Sequence, residues 1–188
     1  MYCGKNNIIA TIVAFLLLAA TGLHAEPTLN INNKTDHYLL ANVLQYFVDD
    51  TAKKNLDDVL KSNDIWQTSN NDTINLSFTK AALWTKLNLH NDTAMQQDML
   101  MVIAQPLLLN IDVYEEQVDG KWQIRLSGIN PANVGNSIPH RYPNFSISLQ
   151  PGQTKTVIYR VTASNLVFPL SIWKQEAFER NDHVDQYI

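Results

Sequence analysis

The chain has 188 residues, with 14 basic against 18 acidic side chains for a formal charge of −4, and a single cysteine. There is no basic stripe and no polybasic cluster, which excludes the electrostatic footprint of nucleic-acid binding and of anionic-membrane attachment. With one cysteine no intrachain disulfide can form, so the core must hold by packing alone.

The first segment has the three parts of a secretory signal: Lys5, an apolar run from Ile8 to Leu18 continuing through Ala19 to Leu23, and Leu23-His24-Ala25 as a cleavage site. The apolar stretch contains Thr11, Thr21 and Gly22 and is short for a bilayer span of about 20 residues. Cys3 precedes the run, where lipidation would need a cysteine just after it. Cleavage after Ala25 leaves 163 residues, with 13 basic facing 18 acidic side chains, for a charge of −5. A cysteine-free exported domain of this size fits a bacterial periplasm better than a eukaryotic secretory route. The expected division is a signal peptide over 1–25, one domain over 26–180 and an exit segment over 181–188.

Residues 26–37 are polar and Asn-rich, with Leu29 and Ile31 alternating, and read as a short strand or a loose arm. Tyr38 to Val48 fits either period. Asn55 to Leu60 reads as a short helix, with Asn55 as cap and Asp57 and Asp58 at its positive start. From residue 74 onward the pattern is strand after strand. Leu83, Thr85, Leu87 and Leu89 alternate with Trp84, Lys86, Asn88 and His90. Met99 to Ala104 is continuously apolar, as for a strand covered on both faces. Leu107 to Glu116 and Trp122 to Leu126 flank Asp119-Gly120, a hairpin signal in which both turn residues tolerate positive φ. A Gly/Asn/Pro-rich loop follows from Gly128 to Pro143. Phe145 to Leu149, Val157 to Val161 on the far side of Pro151-Gly152, and Leu166 to Trp173 complete the strands, and Lys174 to Asp185 reads as a short helix leading out. About eight strands with turn chemistry between them predict an all-β domain, two packed antiparallel sheets with one or two short helices.

Several of these pieces occur together in one family. Ala82-Leu83-Trp84-Thr85-Lys86-Leu87 ending at Asn91, Pro106-Leu107 with Ile111-Asp112-Val113-Tyr114, and Gly135, Pro139, His140-Arg141 and Pro143 stand in its order. Leu149-x-Pro151-Gly152, Tyr159-Arg160-Val161, Pro169-Leu170-x-x-Trp173 and Phe178 complete the series. The chain resembles the type 2 extracellular sensor domain of bacterial seven-transmembrane receptors with diverse intracellular signalling modules. The likeness covers roughly residues 40–180 and departs at Leu83, where the family usually has an aromatic. It implies a jelly-roll-like β-sandwich, similar to carbohydrate-binding modules and exposed to the periplasm. It also implies a seven-helix membrane unit and a cytoplasmic output module as partners, and an unidentified small-molecule or carbohydrate ligand. A free-standing periplasmic carbohydrate-binding or adhesion module is the alternative.

The candidate ligand residues fall in two places. Trp84 shares the polar register of its strand with Lys86; open, it is a stacking platform for a sugar, and covered, it belongs to a satellite core. Asp112 and Tyr114 share a register of a later strand. His140, Arg141 and Tyr142 lie in the long loop, where Arg141 either grips a carboxylate or sugar hydroxyl or pins the loop through backbone carbonyls. Trp122 and Trp173 read as core. The sequons at Asn33, Asn71, Asn75, Asn91 and Asn144 read as chance products of an Asn- and Thr-rich sequence. His37, His90, His140 and His183 form no ligand pair, no calcium loop is present, and neither a nucleophile elbow nor a phosphate-binding glycine loop occurs. Glu115 and Glu116 point to opposite faces of a strand. The sequence therefore predicts a binding protein that is not an enzyme and needs no cofactor.

Overall fold

A computed structural model describes residues 26–62, 65–130 and 135–185, so the expected signal peptide lies outside the described residues. The strands are β1 (Thr28–Ile31), β2 (His37–Tyr38), β3 (Gln45–Asp49), β4 (Gln67–Thr68), β5 (Ile74–Phe78), β6 (Ala82–Asn91), β7 (Gln97–Ile103), β8 (Asn110–Glu116), β9 (Trp122–Ser127), β10 (Asn144–Leu149), β11 (Thr154–Thr162), β12 (Asn165–Phe168) and β13 (Leu170–Lys174). The helices are α1 (Leu56–Leu60) and α2 (Gln175–Asp185). A seven-stranded sheet runs β4-β3-β6-β11-β8-β9, and β1 extends it by pairing in parallel with β6 beyond the end of β3. A four-stranded sheet runs β10-β7-β13-β2, and β5 and β12 form a small third sheet. The domain is an all-β sandwich, as the sequence predicts.

The periods explain the layers. Leu83, Leu87 and Leu89 of β6 and Val157, Tyr159 and Val161 of β11 point inward and meet Met99, Met101, Phe145, Ile147 and Ile172 of the facing sheet in one buried core. β7 is apolar from Met99 onward because both of its faces are covered there: Leu100 and Val102, on the outer side, pack against Phe178 of α2. At the open side of the sandwich the inner face carries charge. Glu115 binds Lys155 Nζ at 2.6 Å and Arg125 Nη2 at 3.0 Å, and Arg125 Nη1 reaches across to donate to the Ser146 carbonyl of β10 at 2.8 Å.

The predicted α1 forms with a reciprocal cap, Asn55 accepting from the Asp58 amide and Asp58 from the Asn55 amide, each at 3.0 Å. Several details differ from expectation. More strands form than the predicted eight, because the ambiguous early segments make short edge strands and Pro169 divides Leu166–Trp173 into β12 and β13. The β8–β9 hairpin forms, but only Gly120 has positive φ (76°). Its amide donates to the Gln117 carbonyl, so the turn is a longer loop with glycine in the left-handed position. Gly128 opens the long loop at φ 111°, where a Cβ would stand 2.6 Å from the Leu109 carbonyl oxygen, so no other residue fits.

Candidate functional site

The outer face of the seven-stranded sheet collects four of the candidates. Trp84, Arg160 and Asp112 are register partners across β6, β11 and β8, and Lys86, Ile158 and Tyr114 form the next row. Phe47 and Trp84 stack at 6.1 Å, and Trp84 and Tyr114 at 6.0 Å, with nearly parallel ring planes in both pairs. Trp84 is not an open platform. It is fully buried with Phe47, Val59, Ala82 and Ile158, because α1 and Ile65–Trp66 fold back over this part of the face. The alternation along β6 is as predicted; the cover comes from elsewhere in the chain. Among the described residues, the Trp84 Nε1 and Gln45 Oε1 atoms are buried without a hydrogen-bond partner.

Beside this satellite core the face stays half open. Trp66, Tyr114 and Trp122 are each partly exposed, so Trp122 is not a residue of the main core. The Lys86 ammonium lies 5.1 Å from the Trp66 ring centre, and the Arg160 guanidinium 5.9 Å from that of Trp84. Arg160 also donates to the Ala52 carbonyl at 2.8 Å and pairs with Asp112 at 3.4 Å, tying the loop before α1 to the sheet. Burial pushes the Asp112 carboxyl upward and the Arg160 charge opposes it; burial, and then the Asp112 charge, pushes the Tyr114 phenol up. Trp66 and Arg160 were not among the sequence candidates. Arg160 stood in a quoted motif, whereas Trp66 gave no periodic signal.

His140, Arg141 and Tyr142 lie elsewhere, over the outer face of the four-stranded sheet. The His140 ring packs 4.9 Å from Phe178 of α2, and Tyr142 and Ile138 join the cluster of Leu100, Val102, Trp173 and Phe178. The loop is pinned by asparagines and not by Arg141. Asn136 Nδ2 donates to the His140 and Tyr142 carbonyls at 2.7 and 3.0 Å, and buried Asn144 holds Ile138 and Tyr142. Arg141 is exposed, 4.8 Å from the Tyr142 ring, at the rim of a cleft of about 270 Å³ bordered by Pro106, Gly128 and Pro143. Asn91 is equally structural: it is fully buried and its amide donates to three carbonyls, of Met95, Leu149 and Gln150. Asn91 and Asn144 are therefore closed to glycosylation in the folded domain.

Among the described residues no group of three or more His, Cys, Asp or Glu is placed to hold a metal ion. Among the same residues no helix is long and apolar enough to cross a membrane.

No curated protein matches the sequence. A GH31 α-xylosidase from Xanthomonas citri is a distant structural neighbour, with 12% identity and a TM-score of 0.31 over 70% of this chain and 15% of that one. The chain thus spans a small part of that enzyme, and the likeness carries no functional argument. The family model described as 7TMR-DISM extracellular 2 matches residues 41–174, from the turn before β3 to the end of β13. The chain belongs to this family, the type 2 extracellular domain of seven-transmembrane receptors.

Proposed function

We propose that the domain is the periplasmic ligand-sensing module of a bacterial seven-transmembrane receptor. It is exported by the signal at its start, and it binds a carbohydrate or similar small molecule without transforming it. The observation that carries the reading is the outer face of the seven-stranded sheet. Half-exposed rings of Trp66, Tyr114 and Trp122 share this face with Lys86 and the Arg160–Asp112 pair. Ring surface with hydrogen-bonding groups at its margin is what a sugar needs, since each pyranose has an apolar face and a polar rim. Two acidic groups of this face are held in ion pairs, Asp112 with Arg160 and Glu26 with Lys86, which suits binding better than proton transfer.

The opposite sheet carries the output. β13 ends at Lys174 and α2 starts at Gln175, with no linker between them. A ligand that prefers one of two arrangements of α2 would bias the membrane unit by that difference in affinity. The test is a thermal-shift screen of the purified domain against sugars, amino acids and carboxylates, in which a native-state ligand raises the melting temperature. Loss of the shift in Trp66→Ala and Tyr114→Ala supports the face as the site. A hit that keeps full affinity in both variants rules it out.

A further inference from the structure

Lys86 brings an ammonium to the ligand face from the middle of β6, with 11% of its side chain exposed. An ammonium so enclosed needs an anion. Its register partners, Gln45 of β3 and Ile158 of β11, supply none. The anion comes from far away in sequence. Glu26 Oε1 accepts from Lys86 Nζ at 2.6 Å, and its Oε2 accepts from Asn88 Nδ2 at 3.0 Å. Asn88 is buried, and Thr156 Oγ1 donates to its Oδ1 at 3.1 Å, which fixes the amide with its NH₂ group toward the carboxylate. Both donors of this cradle stand on one central strand, β6, and Thr156 of the neighbouring β11 buttresses one of them. The carboxylate in it stands on no strand: Glu26 is 55% exposed and precedes the start of β1.

The surroundings point to a ligand. The Trp66 ring lies beside the Lys86 ammonium and offers a surface to a ring attached to a carboxylate. On the same patch Gln45 Oε1, from the residue opposite Lys86, and Nε1 of Trp84, fully buried one row away, find no partner among the described residues. Burial alone would push the Glu26 carboxyl up, but the hydrogen bonds from Lys86 and Asn88 outweigh it and hold the group below its ordinary range.

We propose that Lys86 and Asn88 form a carboxylate subsite, filled in the free domain by the chain's own Glu26, and that the ligand is an acidic sugar of the uronic-acid class whose carboxylate takes its place. This rests on the outer face being the ligand face. The exchange is neutral in charge, one carboxylate leaving the donors as another arrives. Glu26 is therefore a built-in competitor, and removing its charge raises affinity for an acid without changing affinity for a neutral sugar.

The experiment titrates glucuronate and glucose into the wild-type protein, Glu26→Gln and Lys86→Gln, reading the Asn88 side-chain NH₂ and the Trp66 indole by NMR. Glucuronate is expected to bind Glu26→Gln about tenfold more tightly than wild type, to move the Asn88 amide, and to be lost in Lys86→Gln, with glucose unchanged by Glu26→Gln. Equal glucuronate affinity in wild type and Glu26→Gln, full affinity in Lys86→Gln, or no glucuronate binding to Glu26→Gln overturns the proposal. If glucose moves Trp66 while Glu26→Gln gains nothing toward glucuronate, the subsite falls and the face stands. If glucuronate moves Asn88 with the expected gain while no sugar moves Trp66, the subsite stands and the wider face falls.

Discussion

Phe178→Ala should release α2 while leaving the sandwich intact. The helix has 11 residues, too short to persist alone in water, so its order depends on docking. Phe178 is the anchor: it is 6% exposed, packs on Leu100 and Val102, and makes edge-to-face contacts with His140 at 4.9 Å and Trp173 at 5.8 Å. Burying a phenylalanine contributes about 1.5–3 kcal/mol and each ring pair about 0.5–1.5 kcal/mol, so the docked state loses roughly 3 kcal/mol. At about 1.4 kcal/mol per factor of ten, amide protection in α2 should fall on the order of a hundredfold. Hydrogen exchange read by mass spectrometry on peptides covering α2, β7 and β13 measures it. Unchanged protection in α2 would refute the reasoning, and so would an equal loss in β7, which would mean that Phe178 supports the core and not the helix.

Two further changes probe the packing and its pH dependence. Glu115→Gln strands Lys155 and Arg125 between the sheets, with side chains 13% and 25% exposed, and should cost about 3 kcal/mol in urea unfolding at an unchanged slope. Replacing all three residues by apolar ones should recover most of that loss, and a single-variant loss under about 0.5 kcal/mol, the range of an ordinary surface change, would contradict a buried triad. His37 stacks on Trp173 at 3.7 Å, and burial lowers its pKa against the opposing charge of Asp72. Its contribution is therefore full above the ordinary imidazole value of about 6.5 and is lost as pH falls through the depressed folded value. Melting temperature should fall as pH drops from about 6.5 to the depressed folded value and His37 should add no further loss below it; His37→Phe, which keeps a ring on Trp173, should flatten that part of the profile, and an unaltered profile would remove His37 as the cause.

What the sequence disclosed and what it hid divide along contact distance. The β6 alternation, the apolar run of β7 and the Asn55 cap are local signals and correspond to the observed inner face, doubly covered strand and helix start. The burial of Trp84 is not local: period two places it on the outer face, and only the return of α1 and Trp66 decides that the face is covered there. The loop follows the same division. Arg141 has the donors either to grip a ligand or to pin the loop; the pinning is done by Asn136 and Asn144, and asparagine in a loop reads as turn chemistry before it reads as a pin. Glu26 was hidden most deeply, since its partner Lys86 lies 60 residues away and the arm around it is merely polar.

That arm joins the two outer faces. Glu26 sits on the outer face of the seven-stranded sheet; β1 then pairs with Asn88–Asn91 of β6, and Asp36 and His37 meet the root of α2. There the Lys174 amide donates to the Asp36 carbonyl at 2.8 Å, its ammonium lies 2.9 Å from the Asp36 carboxylate, and Asn33 accepts from the same ammonium at 3.1 Å. Freeing Glu26 loosens one end of a segment whose other end holds the first residues of the exit. The carboxylate of the tie is exposed although its ammonium is enclosed, which keeps its hold on the arm near that of a surface pair, so Glu26→Gln should speed exchange of the β1 amides and of Lys174 by about twofold to fivefold. Lys121→Gln breaks an equally short pair on the β8–β9 hairpin and should change neither. If β1 quickens and Lys174 does not, the arm is uncoupled from the root of α2. Coupling between the proposed ligand face and α2 would then have to run through β13, whose Ile172 is packed in the core between the sheets.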